Sequence, residues 1–107
     1  MLISQAHGTI KPPKGSDFVS LPVGSDGDEV GAYWTAKPQN SSATQAFVMI
    51  HGRLRDGDNY WSIMDTALTA AVKANTPGAD ADSIIAAPEF FSEKYNSGQY
   101  NKNQLAW

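Results

Sequence analysis

A chain of 107 residues, 41% apolar and 18% charged, with a formal net charge of −3, has room for one small folded domain. Eight Lys and Arg against eleven Asp and Glu form no basic cluster, so no nucleic-acid partner is expected. The absence of cysteine excludes disulfides, thiolate metal sites and a Cys nucleophile together.

No apolar run approaches the roughly twenty residues that cross a bilayer, so no membrane span is expected. The opening Met1-Leu2-Ile3-Ser4-Gln5-Ala6-His7 lacks the basic region and apolar stretch of a signal peptide. Asn40-Ser41-Ser42 fits an N-glycosylation acceptor, but such a triplet also arises by chance in a polar linker. Secreted and cytoplasmic locations both stay open.

Residues 1–16 read as an irregular lead-in, because Pro12-Pro13 forbids helix. Asp17 to Val23 suits a strand whose end Pro22 places at an edge. Turn formers crowd Gly24-Ser25-Asp26-Gly27-Asp28, and Val30 to Ala36 suits a second strand. Residues 17–36 therefore predict an antiparallel hairpin. A polar linker, Lys37 to Gln45, follows.

Ala46-Phe47-Val48-Met49-Ile50 is unbroken apolar sequence and predicts a strand buried on both faces of a parallel sheet. After a loop from His51 to Gly57, Tyr60, Ile63, Met64, Ala67, Leu68 and Ala71 recur at helical spacing. Asp56 or Asp58 is expected to cap this helix, and Asn75-Thr76-Pro77-Gly78 to stop it. Ser83 to Ala87 is a second buried-looking run, with Pro88 as its expected end. Residues 46–91 thus predict one strand–helix–strand unit with a right-handed crossover. Residues 92–107 read as loop.

Ligands of open α/β sheets collect at the carboxyl ends of parallel strands, which here are His51 to Asn59 and Pro88 to Tyr95. A strand running into His-Gly and then a helix is an oxyanion-loop arrangement, with Gly52 allowing the tight turn and the following amides facing a substrate oxygen. Among the aromatics Tyr60, Trp61, Phe90, Phe91, Tyr95 and Tyr100, Tyr60 reads as core. Phe90 and Phe91 are the candidate substrate-pocket residues. Asp26-Gly27-Asp28-Glu29 and Asp56-Gly57-Asp58-Asn59 lack the spacing of a Ca²⁺ loop and read as a turn and a cap, so no metal site is expected. No nucleotide-binding motif is present.

The segment Phe47-Val48-Met49-Ile50-His51-Gly52-Arg53-Leu54-Arg55-Asp56-Gly57-Asp58-Asn59-Tyr60-Trp61 resembles the strand-three, oxyanion-loop and helix-A region of α/β-hydrolases. With Ile84-Ile85-Ala86-Ala87-Pro88-Glu89-Phe90-Phe91 as strand four, the chain is most similar to fungal esterase-like members. The resemblance covers residues 17–107. It implies an α/β fold, specifically the N-terminal part of a hydrolase sheet, incomplete on its own. It also implies that Gly52, Arg53 and Leu54 form the oxyanion loop, with the Arg53 N–H as first donor and Leu54 as the fallback. His51 would then be structural, holding the loop by hydrogen bonds. Arg55 would pair with Asp56, meet an acidic group elsewhere or be a solvated surface charge.

Such an enzyme needs a nucleophilic Ser on a Gly-x-Ser-x-Gly turn, followed by an acid and a His. No such turn occurs, and the histidines, His7 and His51, precede any place for one. No catalytic residue is therefore expected in this chain, which alone should be inactive. In the family sheet, strand three lies between strands four and five, and strand five would lie beyond Trp107. The expected partner is accordingly the remainder of the hydrolase or a second chain that completes the sheet. The resemblance implies a small ester or acyl substrate and no cofactor. The alternative reading is a non-catalytic binding or interaction module sharing the strand–helix–strand unit.

Overall fold

The computed structural model describes residues 10–36 and 42–92, together with Asn96, Gly98 and Gln104. Asn40 and Ser41 of the glycosylation triplet, the opening residues 1–9 and most of the 92–107 segment, including Tyr95 and Tyr100, lie outside the described residues.

Among the described residues four strands, β1 (Ser16–Val23), β2 (Asp28–Thr35), β3 (Ala46–Val48) and β4 (Ile84–Glu89), form one mixed sheet in the order β1-β2-β4-β3. A helix, α1 (Gly57–Lys73), joins β3 to β4. The expected hairpin is β1 and β2, antiparallel from Ser16↔Thr35 to Val23↔Asp28. Gly24 and Gly27 supply the positive φ that closes its turn. β2 runs antiparallel to β4, and β3 parallel to it, through Ala46↔Ile84, Phe47↔Ile85 and Val48↔Ala86. The molecule is thus a small α/β fold.

Alternation along the strands decides what the helix covers. Tyr33, Ile85 and Ala87 are buried beneath α1 with Trp61 and Leu68; Phe18, Phe47, Met49, Met64 and Val72 pack around them. The Phe18 ring meets Tyr33 edge-on, with centroids 5.0 Å apart. Gly31 makes room for the Phe18 ring: a Cβ there would collide with it.

Three expectations change. β3 is not buried on both faces: Phe47 and Met49 face the core, while Val48 and Ile50 are 61% and 55% exposed. Among the described residues, a helix covers only one face of this sheet. The apolar face of α1 is also turned by about one residue from the predicted stripe. Trp61, Met64, Leu68 and Val72 point inward, whereas Ile63 is 50% exposed. Trp61 sets this rotation, because its indole N–H donates to Ile85 O at 3.2 Å across the interface. Finally, β4 does not stop at Pro88 but continues to Glu89. Met49 N–H donates to Ala86 O, so Ala86, and by alternation Pro88, turn their backbone groups toward β3. Pro88 has no N–H to offer the Met49 carbonyl, and the β3 pairing stops there, opposite Ala86.

The helix stops where expected, by a mechanism readable in the backbone. Asn75 adopts φ 56°, its N–H donates to Val72 O at 3.0 Å, and Thr76 N–H donates to Ala71 O at 2.9 Å. These paired bonds form a Schellman motif with Asn in the left-handed position.

Candidate functional site

The site lies where β3 and β4 end together. β3 delivers its chain into His51, which is buried although a lone histidine after an apolar run would ordinarily reach solvent. Its ring is held from both sides: Nδ1 lies 2.8 Å from Gly52 O, and Nε2 accepts the Phe90 N–H at 2.9 Å. A carbonyl only accepts and an amide N–H only donates, so the proton sits on Nδ1 and Nε2 carries the lone pair. Phe90 follows Ala86 and Pro88 in the set of residues facing β3. The imidazole therefore continues the β3–β4 ladder beyond the point where backbone pairing stops.

Beyond His51 the chain makes a β-turn, Gly52 to Arg55, closed by Arg55 N–H donating to Gly52 O at 3.2 Å. Arg55 takes φ 56°, and Asn96 Nδ2 donates to its carbonyl at 3.3 Å while Asn96 Oδ1 accepts the Ser92 N–H. Gly52, Arg53 and Leu54 are all exposed at the turn. The N–H groups of Arg53 and Leu54 have no acceptor among the described residues.

Asp56 stands at the N-cap position of α1, but its side chain makes no capping bond. Glu89 performs that task from across the sheet: the Gly57 N–H donates to its Oε1 at 2.9 Å. A carboxylate on the first turn's N–H groups is favoured by the helix dipole. Glycine suits this close approach, because a Cβ at position 57 would sit tightly, 3.1 Å from Glu89 Oε1, 3.2 Å from Pro88 O and 3.3 Å from Tyr33 Cδ2. Asp56→Ala is therefore expected to change stability by less than about 0.5 kcal/mol in urea denaturation, against about 1 kcal/mol for losing a working cap.

Glu89 is 1% exposed, and its second oxygen has a single polar neighbour of note. Oε2 lies 3.5 Å from His51 Nε2 and is otherwise without a hydrogen-bond partner. Burial pushes the Glu89 carboxyl up to about 7; the Gly57 N–H opposes this, nearby Asp58 and Asp56 raise it further, and the Arg55 charge lowers it. Burial likewise pushes the Tyr33 phenol up, with the Asp58 and Glu89 charges adding to the effect.

The two candidate pocket residues part company. Phe90 is half-buried and meets His51 at 5.9 Å between ring centroids, edge to face. Phe91 is 1% exposed and packs on Phe18. Tyr60, expected in the core, is half-buried with its hydroxyl 3.9 Å from where a Gly52 Cβ would stand. Glu89 is the residue that sequence reading missed. The available signal was its phase: Ile85, Ala87 and Glu89 are spaced by two and share the buried face. Among the described residues no group of three or more His, Cys, Asp or Glu is placed to hold a metal, and no helix is long and apolar enough to cross a membrane.

No family model matches the chain, and the searches of curated proteins and of solved structures each find no match.

Proposed function

We propose that the chain is the N-terminal segment of a serine-type α/β-hydrolase acting on esters or related acyl compounds. In this reading the turn from Gly52 to Leu54 supplies part of the oxyanion hole, and the Ser, acid and base come from sequence outside these residues. The observation that carries it is the exposed Arg53 and Leu54 N–H pair on a turn fixed by buried His51, at the carboxyl ends of two parallel strands. Such donors stabilise a developing oxyanion without reorganising, because the turn is already held. His51 acts as a structural strut, with both ring nitrogens occupied by the backbone. Phe90, beside the imidazole, is the better placed of the two phenylalanines to meet an acyl group.

A second feature supports the reading. The backbone groups of Ala46, Val48 and Ile50 face away from β4, and the Val48 and Ile50 side chains are exposed. A further parallel strand along β3 would pair that edge and cover part of this apolar surface.

The test is copurification from the native source, with a fluorophosphonate probe as label for an activated serine. A labelled polypeptide bound to or continuous with this chain is expected, while these 107 residues alone remain unlabelled. In that assembly Arg53→Pro removes one N–H at a turn position that accepts proline, and kcat for an ester should fall by about 10²–10³. An Arg53→Pro assembly with unchanged kcat would remove the Arg53 amide from the hole. Absence of any labelled companion would favour the non-catalytic interaction module.

A further inference from the structure

His51 Nε2 and Glu89 Oε2 face each other in the interior, and each is chemically incomplete in a different way. Nε2 has one in-plane lone pair, given to the Phe90 N–H at 2.9 Å. Oε2 is a buried oxygen with no hydrogen bond, 3.5 Å from that same nitrogen. Side-chain exposure is 0% for His51 and 2% for Glu89, so water does not reach between them.

We propose that His51 Nε2 exchanges hydrogen-bond partners, from the Phe90 N–H to Glu89 Oε2, when the His51–Glu89 pair takes up one proton. The proton comes from solvent and settles between Nε2 and Oε2. Carried on oxygen, it makes a neutral acid that donates to the imidazole; carried on nitrogen, it makes an imidazolium that donates to the carboxylate. Both forms engage the single lone-pair direction of Nε2, so both deprive the Phe90 N–H of its acceptor. No heavy-atom bond is made or broken. The Nδ1–H bond to Gly52 O and the Gly57 N–H bond to Oε1 persist, so the loop stays tied at both its ends. What opens is the join between the loop and the chain leaving β4.

The charged and titratable neighbours set where this happens. Asp58 and Asp56, from α1 and the loop before it, favour the extra proton, and Arg55 opposes it. Tyr33, reaching in from β2, is a phenol pushed up by burial and so stays neutral. Burial pushes the Glu89 carboxyl up to about 7. The proton belongs to the pair, so one shared midpoint is the signature.

The inference needs no substrate and stands whether or not the chain belongs to a hydrolase. Its test is an NMR titration of the intact chain between about pH 8.5 and pH 5.5, following the Phe90 amide, the His51 ring nitrogens and the Glu89 carboxyl carbon. On acidification the Phe90 amide signal should move upfield and its hydrogen exchange, corrected for intrinsic pH dependence, should rise about tenfold. All three probes should share a midpoint. In Glu89→Gln the side-chain amide is a permanent donor to Nε2, so the Phe90 amide should hold its low-pH position throughout. A Phe90 amide that does not titrate, or that titrates at a midpoint different from the Glu89 carboxyl, overturns the proposal. The wild-type comparison decides the matter even where Glu89→Gln fails to fold.

Discussion

Replacing Trp61 by alanine should cost about 3–5 kcal/mol, as expected for removing a fully buried indole from a packed core. For a domain of this size that is a large part of a total stability on the order of 5 kcal/mol. The residue is 2% exposed, packs with Tyr33, Leu68, Ile85 and Ala87, and fixes the helix to the sheet through its bond to Ile85 O. Trp61→Phe separates the two roles. It keeps most of the volume and loses the indole N–H, but Ile85 O still accepts the Thr35 hydroxyl at 3.3 Å. A loss of about 1–2 kcal/mol is expected for it. Urea unfolding followed by far-ultraviolet circular dichroism measures both, since substituting Trp61 also removes a fluorophore. A Trp61→Ala chain as stable as wild type would mean that the helix is held elsewhere.

The second large effect is a pH dependence of stability that runs opposite to that of an ordinary salt-bridged acid. Glu89 is raised from 4.5 to about 7 in the folded chain, so the native state binds its proton more tightly than the unfolded state does. Its stabilising contribution is therefore complete below pH 4.5 and is lost progressively as pH rises to 7. The shift corresponds to about 3 kcal/mol at most. Denaturant midpoints of wild type and Glu89→Gln should be compared from acid to mildly alkaline pH, because the substituted side-chain amide is neutral throughout. The wild type should lose stability relative to the variant as pH rises toward neutrality, and the difference should level off above it. Parallel curves would show that the carboxyl does not titrate with folding.

Much of the architecture was legible because local chemistry agreed with the final packing. The turn glycines 24 and 27, the Asn-Thr-Pro-Gly stop and the apolar runs at 46–50 and 83–87 each name an element, and each element forms. The misread features share a cause: they depend on the partner across the sheet. The phase of α1 follows from the Trp61 bond to Ile85, which no helical spacing encodes. The one-sided cover of β3 follows from where the helix lies, since a continuous apolar run fits either degree of burial. At the site, the turn at Gly52 was readable from a strand entering His-Gly, whereas a holding role for His51 was only what the resemblance implied. The cap was not, because an acid within the first turn looks sufficient while the working carboxylate lies 32 residues downstream at Glu89.

Pro88 also bears on how the chain finds this arrangement. Parallel strands carrying Ile-Ile-Ala-Ala and Phe-Val-Met-Ile have little in their side chains to distinguish the native alignment from one displaced by two residues. A displacement that brings position 88 opposite Val48 sets an imino nitrogen where the ladder needs a donor. It also carries Glu89 away from Gly57. That misaligned sheet would lose a backbone bond and strand a buried acid at once, so the proline and the glutamate beside it both weigh against this displacement.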